Sequence, residues 1–435
     1  MLPEQQLDSM SQTRRDVLRA GGALTLLSAS GQALAANGRT VRIGWVSPRT
    51  GPLAPFGEVD QFVEQGVLAA IKNGVKIGGK THAVEIVAKD SQSNPNRAAE
   101  VAADLILKDN IDIMVTGGTP ETTNPVADQC ELNGVPCISS TCPWQAWFFG
   151  RGGNPKQGFE WTYHFFWGLE DIIATFTNIW KTVPNNKVVG LLLPNDGDGA
   201  AWGDPKLGLP PALKAMGFTV VDPGRYQAFQ ADFSAQISAF KKAGVEVVAG
   251  VPTPPDFKNF WTQARQQGFK PKCVTMGKAI AFPAAVDALG DAADGLSQEL
   301  WWTPVNPYKS SLNGQSSKAM TAAYEQQTKR QWNGALGYSH ANFEVAIDTL
   351  KRTKNIDDKA SIRDALAATD LKTMAGPVSW KGGPLNPVKN VCRMPLVSGQ
   401  WVKGAHPKYK YDLLVVNNET AQEIPLQAKP KAIPY

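Results

Sequence analysis

After about residue 40 the chain repeats one pattern, and that pattern restricts the fold more than any other feature. Short apolar runs rich in β-branched residues alternate with longer segments in which apolar residues recur at helical spacing. "TVRIGWVSP" is a strand, "FVEQGVLAAIKN" a helix, "HAVEIVAKD" a strand, "NRAAEVAADLILKDN" a helix and "IDIMVTGG" a strand. "TNPVADQCELNG" and "VPCISST" follow as helix and strand, then a Gly- and aromatic-rich excursion leads into "WTYHFFWG". The rhythm restarts at "LEDIIATFTNIWKTV" and runs through the strands "KVVGLLLPND", "TVVDPGRY", "VEVVAGVPT" and "KCVTMGKA", with helical segments between them. Strands separated by helices make parallel sheets covered on both faces, so the expected class is α/β with two doubly wound lobes. From about Trp301 the pattern changes to long helices, then to the short strands "GPVSWKGG" and "VCRMPLVSGQWVKG".

Size and composition agree with two cores. The chain has 435 residues, 43% hydrophobic and 19% charged, which is the make-up of a folded globular protein too long for one ordinary domain. The formal net charge of +5 is dispersed without a Lys/Arg run, so nucleic acid is not an expected partner. Thr13-Arg14-Arg15-Asp16-Val17-Leu18 precedes an apolar Gly/Ala-rich stretch ending in Ala33-Leu34-Ala35, and residues 1–35 read as a twin-arginine export signal. The apolar part is too short and interrupted to span a bilayer, and no cysteine near Ala35 offers a lipid acceptor. A free periplasmic protein is expected.

Several motifs compete with plainer readings. Gly74 to Thr81 matches the phosphate-loop pattern G-x-x-x-x-G-K-[ST]. A phosphate loop needs a strand before it and a helix after it, and here the helix comes first, so a tight connection with positive φ at Gly78 and Gly79 is the better expectation. Cys130, Cys137, Cys142, Cys273 and Cys392 form no C-x-x-C pair; a local Cys130–Cys137 bridge and buried free thiols both remain open. His82, His164, His340 and His406 are too scattered for a zinc motif, and no nucleophile–base constellation stands out. Neither a metal, a cofactor nor catalysis is expected.

The loops after the strands carry a different chemistry. "SPRTGPLAPFG", with Phe56, "TGGTPETTN" and "ISSTCPWQAW" are rich in hydroxyls, Gly and aromatics, a composition suited to a small polar ligand with an apolar body. Thr119, Thr122 and Thr123 are equally placed to cap the helix that follows. Trp144, nearest its strand end, is expected in the cleft, whereas Trp147, Phe148 and Phe149 fit either the cleft or their own lobe's interior.

Taken together, "IGWVSPRTGPLAPFG", "KIGGKTHAVEIVAKDSQSNPNRAAEVAADLI", "GVPCISS", "LLLPNDGDGAAWG", "TQARQQGFK" and "AIDTLKRT" resemble, in this order, the type I periplasmic solute-binding proteins of ABC importers, in the leucine/isoleucine/valine-binding protein group. The resemblance implies two lobes joined by a three-strand hinge, with residues 39–166 and 303–375 in the first, 167–302 and 376–415 in the second, and a C-terminal tail at 416–435. It places the crossovers near Phe165 to Gly168, near Trp301 to Pro304, and before Gly376. It also implies a monomer, not membrane-anchored, that closes on a small organic ligand and presents it to a permease served by a separate ATPase. Sensing, or binding of aromatic acids instead of amino acids, are the alternatives. By the family's pattern the ligand residues are Thr119, Glu121, Thr122, Ser140 and Thr141 in the first lobe and Trp202 and Thr253 in the second. Amino-acid-binding relatives hold the ligand's ammonium with an acid in the loop where this chain has Lys278, so an uncharged amide or an anion is expected unless Glu121 or Asp256 supplies the counter-charge.

Overall fold

The computed structural model describes residues 37–435, so the export-signal reading lies outside the described residues. The first run comprises β1 (Val41–Ser47), α1 (Asp60–Ala70), β2 (Val75–Ile77), β3 (Lys80–His82), β4 (Val84–Asp90) and α2 (Pro95–Leu107). It continues through β5 (Ile113–Gly117), α3 (Pro120–Asn133), β6 (Cys137–Ser140), α4 (Trp144–Phe148) and β7 (Thr162–Phe165). The second run begins with α5 (Leu169–Thr182), β8 (Val188–Leu192), α6 (Gly197–Trp202), α7 (Leu209–Ala215) and β9 (Thr219–Val221). It goes on with α8 (Ser234–Lys242), β10 (Val247–Gly250), α9 (Pro254–Gln266), β11 (Cys273–Met276), α10 (Pro283–Asp287) and β12 (Ser297–Leu300). The remainder is α11 (Ser317–Thr328), α12 (Ala335–Arg352), α13 (Lys359–Ala367), β13 (Asp370–Thr373), β14 (Gly376–Ser379), β15 (Val391–Cys392), β16 (Val397–Lys403) and β17 (Tyr411–Asn417).

Two sheets result. The first has the order β15-β7-β6-β5-β1-β4 and is parallel throughout; the second has the order β17-β16-β12-β11-β10-β8-β9, with β16 and β17 antiparallel at one edge. Buried on both faces, the parallel strands are nearly continuous apolar runs, as in β10, where Val247, Val248, Ala249 and Gly250 are all buried. In each sheet the strand order reverses once, between β1 and β5 and between β8 and β10. At such reversals the loops beyond the carboxyl ends of the strands splay apart and leave a crevice.

The chain crosses between sheets three times. The first two crossings come after β7 and after β12. The third does not precede Gly376, because β14 forms a hairpin with β13, and Val391 and Cys392 of β15 pair with His164 and Phe165 of β7 in the first sheet. Both β15 residues are fully buried, so their backbone groups need a ladder partner, and the edge of β7 supplies it. The crossing therefore comes between Cys392 and Val397. Beyond β17 the tail folds back on the second lobe: the Ile433 amide donates to Lys272 O and the Tyr435 hydroxyl to Pro271 O.

The Gly74–Thr81 segment is a β-hairpin, with β2 and β3 paired antiparallel and Gly78 and Gly79 at φ of 53° and 86° in the turn. Lys80 lies in a strand, so no helix N-terminus faces this loop and it is not a phosphate cradle. All five cysteines are buried thiols. A Cβ on Gly78 would stand 2.6 Å from Lys354 O in addition to occupying a left-handed conformation. Gly78→Ala should therefore lower the unfolding free energy by about 1–2 kcal/mol in urea titrations.

Candidate functional site

A chamber lies between the two sheets, walled by Phe56, Thr119, Thr141, Pro143, Phe166 and Trp167 on one side and Asp198, Val251, Lys278, Glu299 and Trp301 on the other. Apart from Glu299, which lies within β12, these residues follow the carboxyl ends of strands in both sheets, the placement that doubly wound topology favours. The free volume is small, about 20 Å³.

On the first-lobe wall, Thr119 is the residue before α3, with Pro120 starting the helix. The Thr122 hydroxyl turns back to the Thr119 amide in a long hydrogen bond of 3.4 Å. The Thr119 hydroxyl is thus left without a partner although the residue is only 1% exposed. Capping uses Thr122, and Thr119 faces the chamber. Thr141, at φ 68°, donates its hydroxyl to Ser140 O and accepts from the Gly118 amide. A non-glycine residue held in that left-handed conformation stores strain at a strand-end loop. Ser140 stands behind this wall, where its hydroxyl accepts from Asn342 Nδ2 of α12 at 2.9 Å.

On the second-lobe wall, one ammonium sits among several acids. Lys278 Nζ lies 2.8 Å from Asp198 Oδ2 and 3.2 Å from Asp196 Oδ2. Glu121 reaches across from the first lobe and accepts the Gly197 amide at 2.6 Å. The Glu121, Asp196 and Asp198 carboxylates bring oxygens within 4.8 Å of one another, the one such grouping among the described residues, and Lys278 is the cation there. Burial alone would lower the lysine's pKa, but Asp198 and Asp196 outweigh it and hold the group charged. Asp198 is pushed up by burial, with Glu121 and Asp196 adding to the shift. In an isolated ion pair both partners would be favoured in their charged forms; at Asp198 burial outweighs the pull of Lys278, and the neighbouring Glu121 and Asp196 carboxylates add to it.

Glu299 completes this wall. Its Oε1 accepts the Lys278 amide at 3.1 Å, and its Oε2 is buried with no partner. Burial pushes its pKa up to about 8. Between the polar walls stand rings: Phe56 meets Phe282 edge-on at 4.8 Å across the lobes and stacks with Trp301 at 6.3 Å, while Phe166 packs on Trp167 at 4.7 Å.

Of the ten sequence-predicted residues, Phe56, Thr119, Thr141 and Lys278 line the chamber, whereas Ser140 and Thr122 stand just behind it and Glu121 bridges the lobes at its rim. Trp144 lies elsewhere: its Nε1 donates to Glu170 at 3.0 Å, its amide donates to Trp167 O, and its ring packs with that of Phe149. A Cβ on Gly168 would come 2.2 Å from Trp144 Nε1, so the indole wedges the first crossover instead of facing ligand. Trp202 is fully buried beneath Gly277, edge-on to Trp167 and Phe176. Thr253 donates to Asp256, which also accepts from the Tyr226 hydroxyl, so neither Thr253 nor Asp256 lines the chamber. Sequence reasoning missed Asp196, Asp198, Glu299, Phe166, Trp167 and Trp301. The pair of acids in "PNDGDG" was the readable signal; Glu299 lies in the short strand "SQEL", which has no apolar alternation.

The chain belongs to the periplasmic binding protein family, whose model matches residues 40–394. A leucine-, isoleucine-, valine-, threonine- and alanine-binding protein of Pseudomonas aeruginosa is 26% identical over 264 residues, which span 59% of this chain and 65% of that protein, just under two thirds of its length. A branched-chain amino acid transporter substrate-binding protein from Streptococcus pneumoniae, solved with isoleucine, superposes with a TM-score of 0.67 at 18% identity, covering 87% of this chain and 99% of that one. A solute-binding protein of an ABC transporter from Rhodopseudomonas palustris, in complex with 3,4-dihydroxybenzoic acid, gives 0.67 at 18% identity over 87% and 98%. The fold is that of the periplasmic binding proteins. Among the described residues no helix is long and apolar enough to cross a membrane.

The charge of Glu299 makes a stability prediction. Its folded pKa lies above the unfolded value, so burial is free only below the unfolded pKa of 4.5, and its cost grows as pH rises from there to about 8, beyond which it is fully expressed. Glu299→Gln should match the wild type in thermal melts at low pH and exceed it by about 1–3 kcal/mol near pH 9.

Proposed function

We propose that this chain is the exported solute-binding component of an ABC importer of the branched-chain amino acid type. It captures a small organic solute in the interlobe chamber and presents the closed form to a permease powered by a separate ATPase. In this reading the protein leaves by the twin-arginine route and works as an unanchored periplasmic monomer. The lobes hinge at the crossovers after β7, after β12 and between β15 and β16.

The observation that carries the reading is the chamber itself. Loops from the carboxyl ends of both sheets converge on it, and two buried polar atoms without partners, Thr119 Oγ1 and Glu299 Oε2, belong to opposite walls of the one space. Unpartnered buried groups are costly in an isolated protein, and a ligand sharing both walls would satisfy them together. The aromatic rings between the walls suit an apolar body.

Thermal-shift screening with amino acids, amides and aromatic acids tests this. At least one class should raise the melting temperature in a dose-dependent way, and Thr119→Val should weaken that ligand by about tenfold, the cost of one hydrogen bond to a charged group. A protein whose melting temperature answers to none of the three classes would contradict the reading.

A further inference from the structure

Side chains that touch no part of the chamber tie its two walls together beside the hinge. The short helix α4 follows β6 of the first sheet, α5 leads into β8 of the second, and the chain between β7 and α5 is the first crossover. The Glu170 carboxylate, in the first turn of α5, accepts Trp144 Nε1 at 3.0 Å and Gln145 Nε2 at 2.5 Å, both from the start of α4. Gln145 returns the contact, since its Oε1 accepts the Leu169 amide at 3.0 Å and one side chain thus holds α5 twice. Gln145 is only 7% exposed, so water competes little for these bonds. From the third crossover Arg393 reaches the same helix end, with Nε 3.0 Å from Glu170 Oε1 and Nη2 2.5 Å from Asp171 Oδ1. Asp171 in turn accepts the Gly168 amide of the first crossover at 2.9 Å. Residues 166–168 therefore lie between the partners, and a rotation of their backbone that separates the lobes carries Leu169 and Glu170 away from α4. The chamber is close by: Pro143 and Trp167 wall it, and the Trp144 amide donates to Trp167 O.

We propose that Trp144, Gln145 and Glu170 form a latch across the first crossover that favours the arrangement with the lobes together, and that Arg393 ties the third crossover into the same latch. The inference rests on the hinge of the reading above and adds to it residues that meet no solute. Glu170 is a positioning residue in this account: by holding α5 against α4 it brings the two chamber walls into register. A carboxylate suits the task because it accepts from both first-lobe donors at once, at the N-terminal end of α5 where negative charge is favoured. A solute between the walls and the latch at the hinge stabilise the same state, so the latch sets the fraction of molecules already poised to hold solute.

Hydrogen exchange of the full-length mature protein without solute tests this. The reporter is the peptide containing Gly197, whose amide donates to Glu121 Oε1 across the lobes. Glu170→Gln removes the charge and sets two carboxamide N–H groups against each other. Exchange at Gly197 should rise about fivefold, the loss of one net hydrogen bond, while the buried strand β10 exchanges as in the wild type. Gln145→Glu, which sets like charges against each other, should raise it at least as much. The double variant Gln145→Glu/Glu170→Gln swaps the two groups, restores a carboxylate–carboxamide pair and should return exchange toward the wild-type rate. Exchange at Gly197 unchanged in both single variants, a rise matched at β10, or a double variant no nearer the wild type than the singles would overturn the latch. The measurement contains no solute, so failure of the latch leaves the solute-binding reading standing, and a silent thermal-shift screen does not mimic that failure.

Discussion

One ammonium group organises the interlobe space. Lys278 extends from the loop after β11 to the loop after β8, where Asp198 and Asp196 receive it, while its own amide donates to Glu299 on β12. Two strand-end loops and the strand β12 of the second lobe are thereby fixed relative to one another around a buried charge. Buried ion clusters of this kind contribute little net stability compared with apolar packing, but breaking one partner leaves uncompensated charge and costs about 3–5 kcal/mol. What the cluster gives the fold is a single arrangement of the strand-end loops, on which the shape of the chamber depends.

The same loops carry the contacts between lobes. Glu121 accepts the Gly197 amide in the loop that holds Asp196 and Asp198, and Phe56 meets Phe282 a few residues beyond Lys278. Recognition of a ligand and contact between lobes are therefore not separate events in this geometry. A solute that pairs with the second-lobe wall and is capped by the Thr119 hydroxyl favours the conformation in which both walls are close, and stabilises that state by its differential affinity for it. Edge-on aromatic pairs such as Phe56–Phe282 add about 0.5–1.5 kcal/mol beyond their buried area, enough to bias closure without locking it.

The alternation of strand and helix was legible from sequence because parallel strands buried on both faces must be apolar and β-branched, and amphipathic helices must repeat at helical spacing. That reasoning located β1, β4, β5, β6 and the strands from β8 to β11, together with the three long helices after Trp301, and it also rejected the phosphate loop at Gly74, though it read the β2–β3 hairpin there as a plain connection. Where elements are very short or polar it failed: β12 contains Gln298 and Glu299, and "VCRMPLVSGQWVKG", read as one short strand, is divided between β15 in the first sheet and β16 in the second, so the third crossover was placed too early. The chamber was half legible. Thr119, Thr141, Phe56 and Lys278 follow strands and carry suitable groups, but a strand-end aromatic need not wall the cleft, and Trp144 instead wedges the first crossover and bonds Glu170 of α5. The lysine was visible as a charge, whereas its neutralisation depends on aspartates about eighty residues earlier in the chain, a distance only the fold closes.

The central claim is that solute recognition and lobe closure are one process, and the distance across the cleft reports it directly. Spin labels on cysteines introduced at Asn96 and Lys206, exposed positions on the first and second lobes, can be placed against a background in which every native thiol is buried. Dipolar spectroscopy should show a broad or longer distance distribution without ligand, and a single shorter one once a solute that raises the melting temperature is added. A distribution that stays unchanged at saturating ligand would contradict the account.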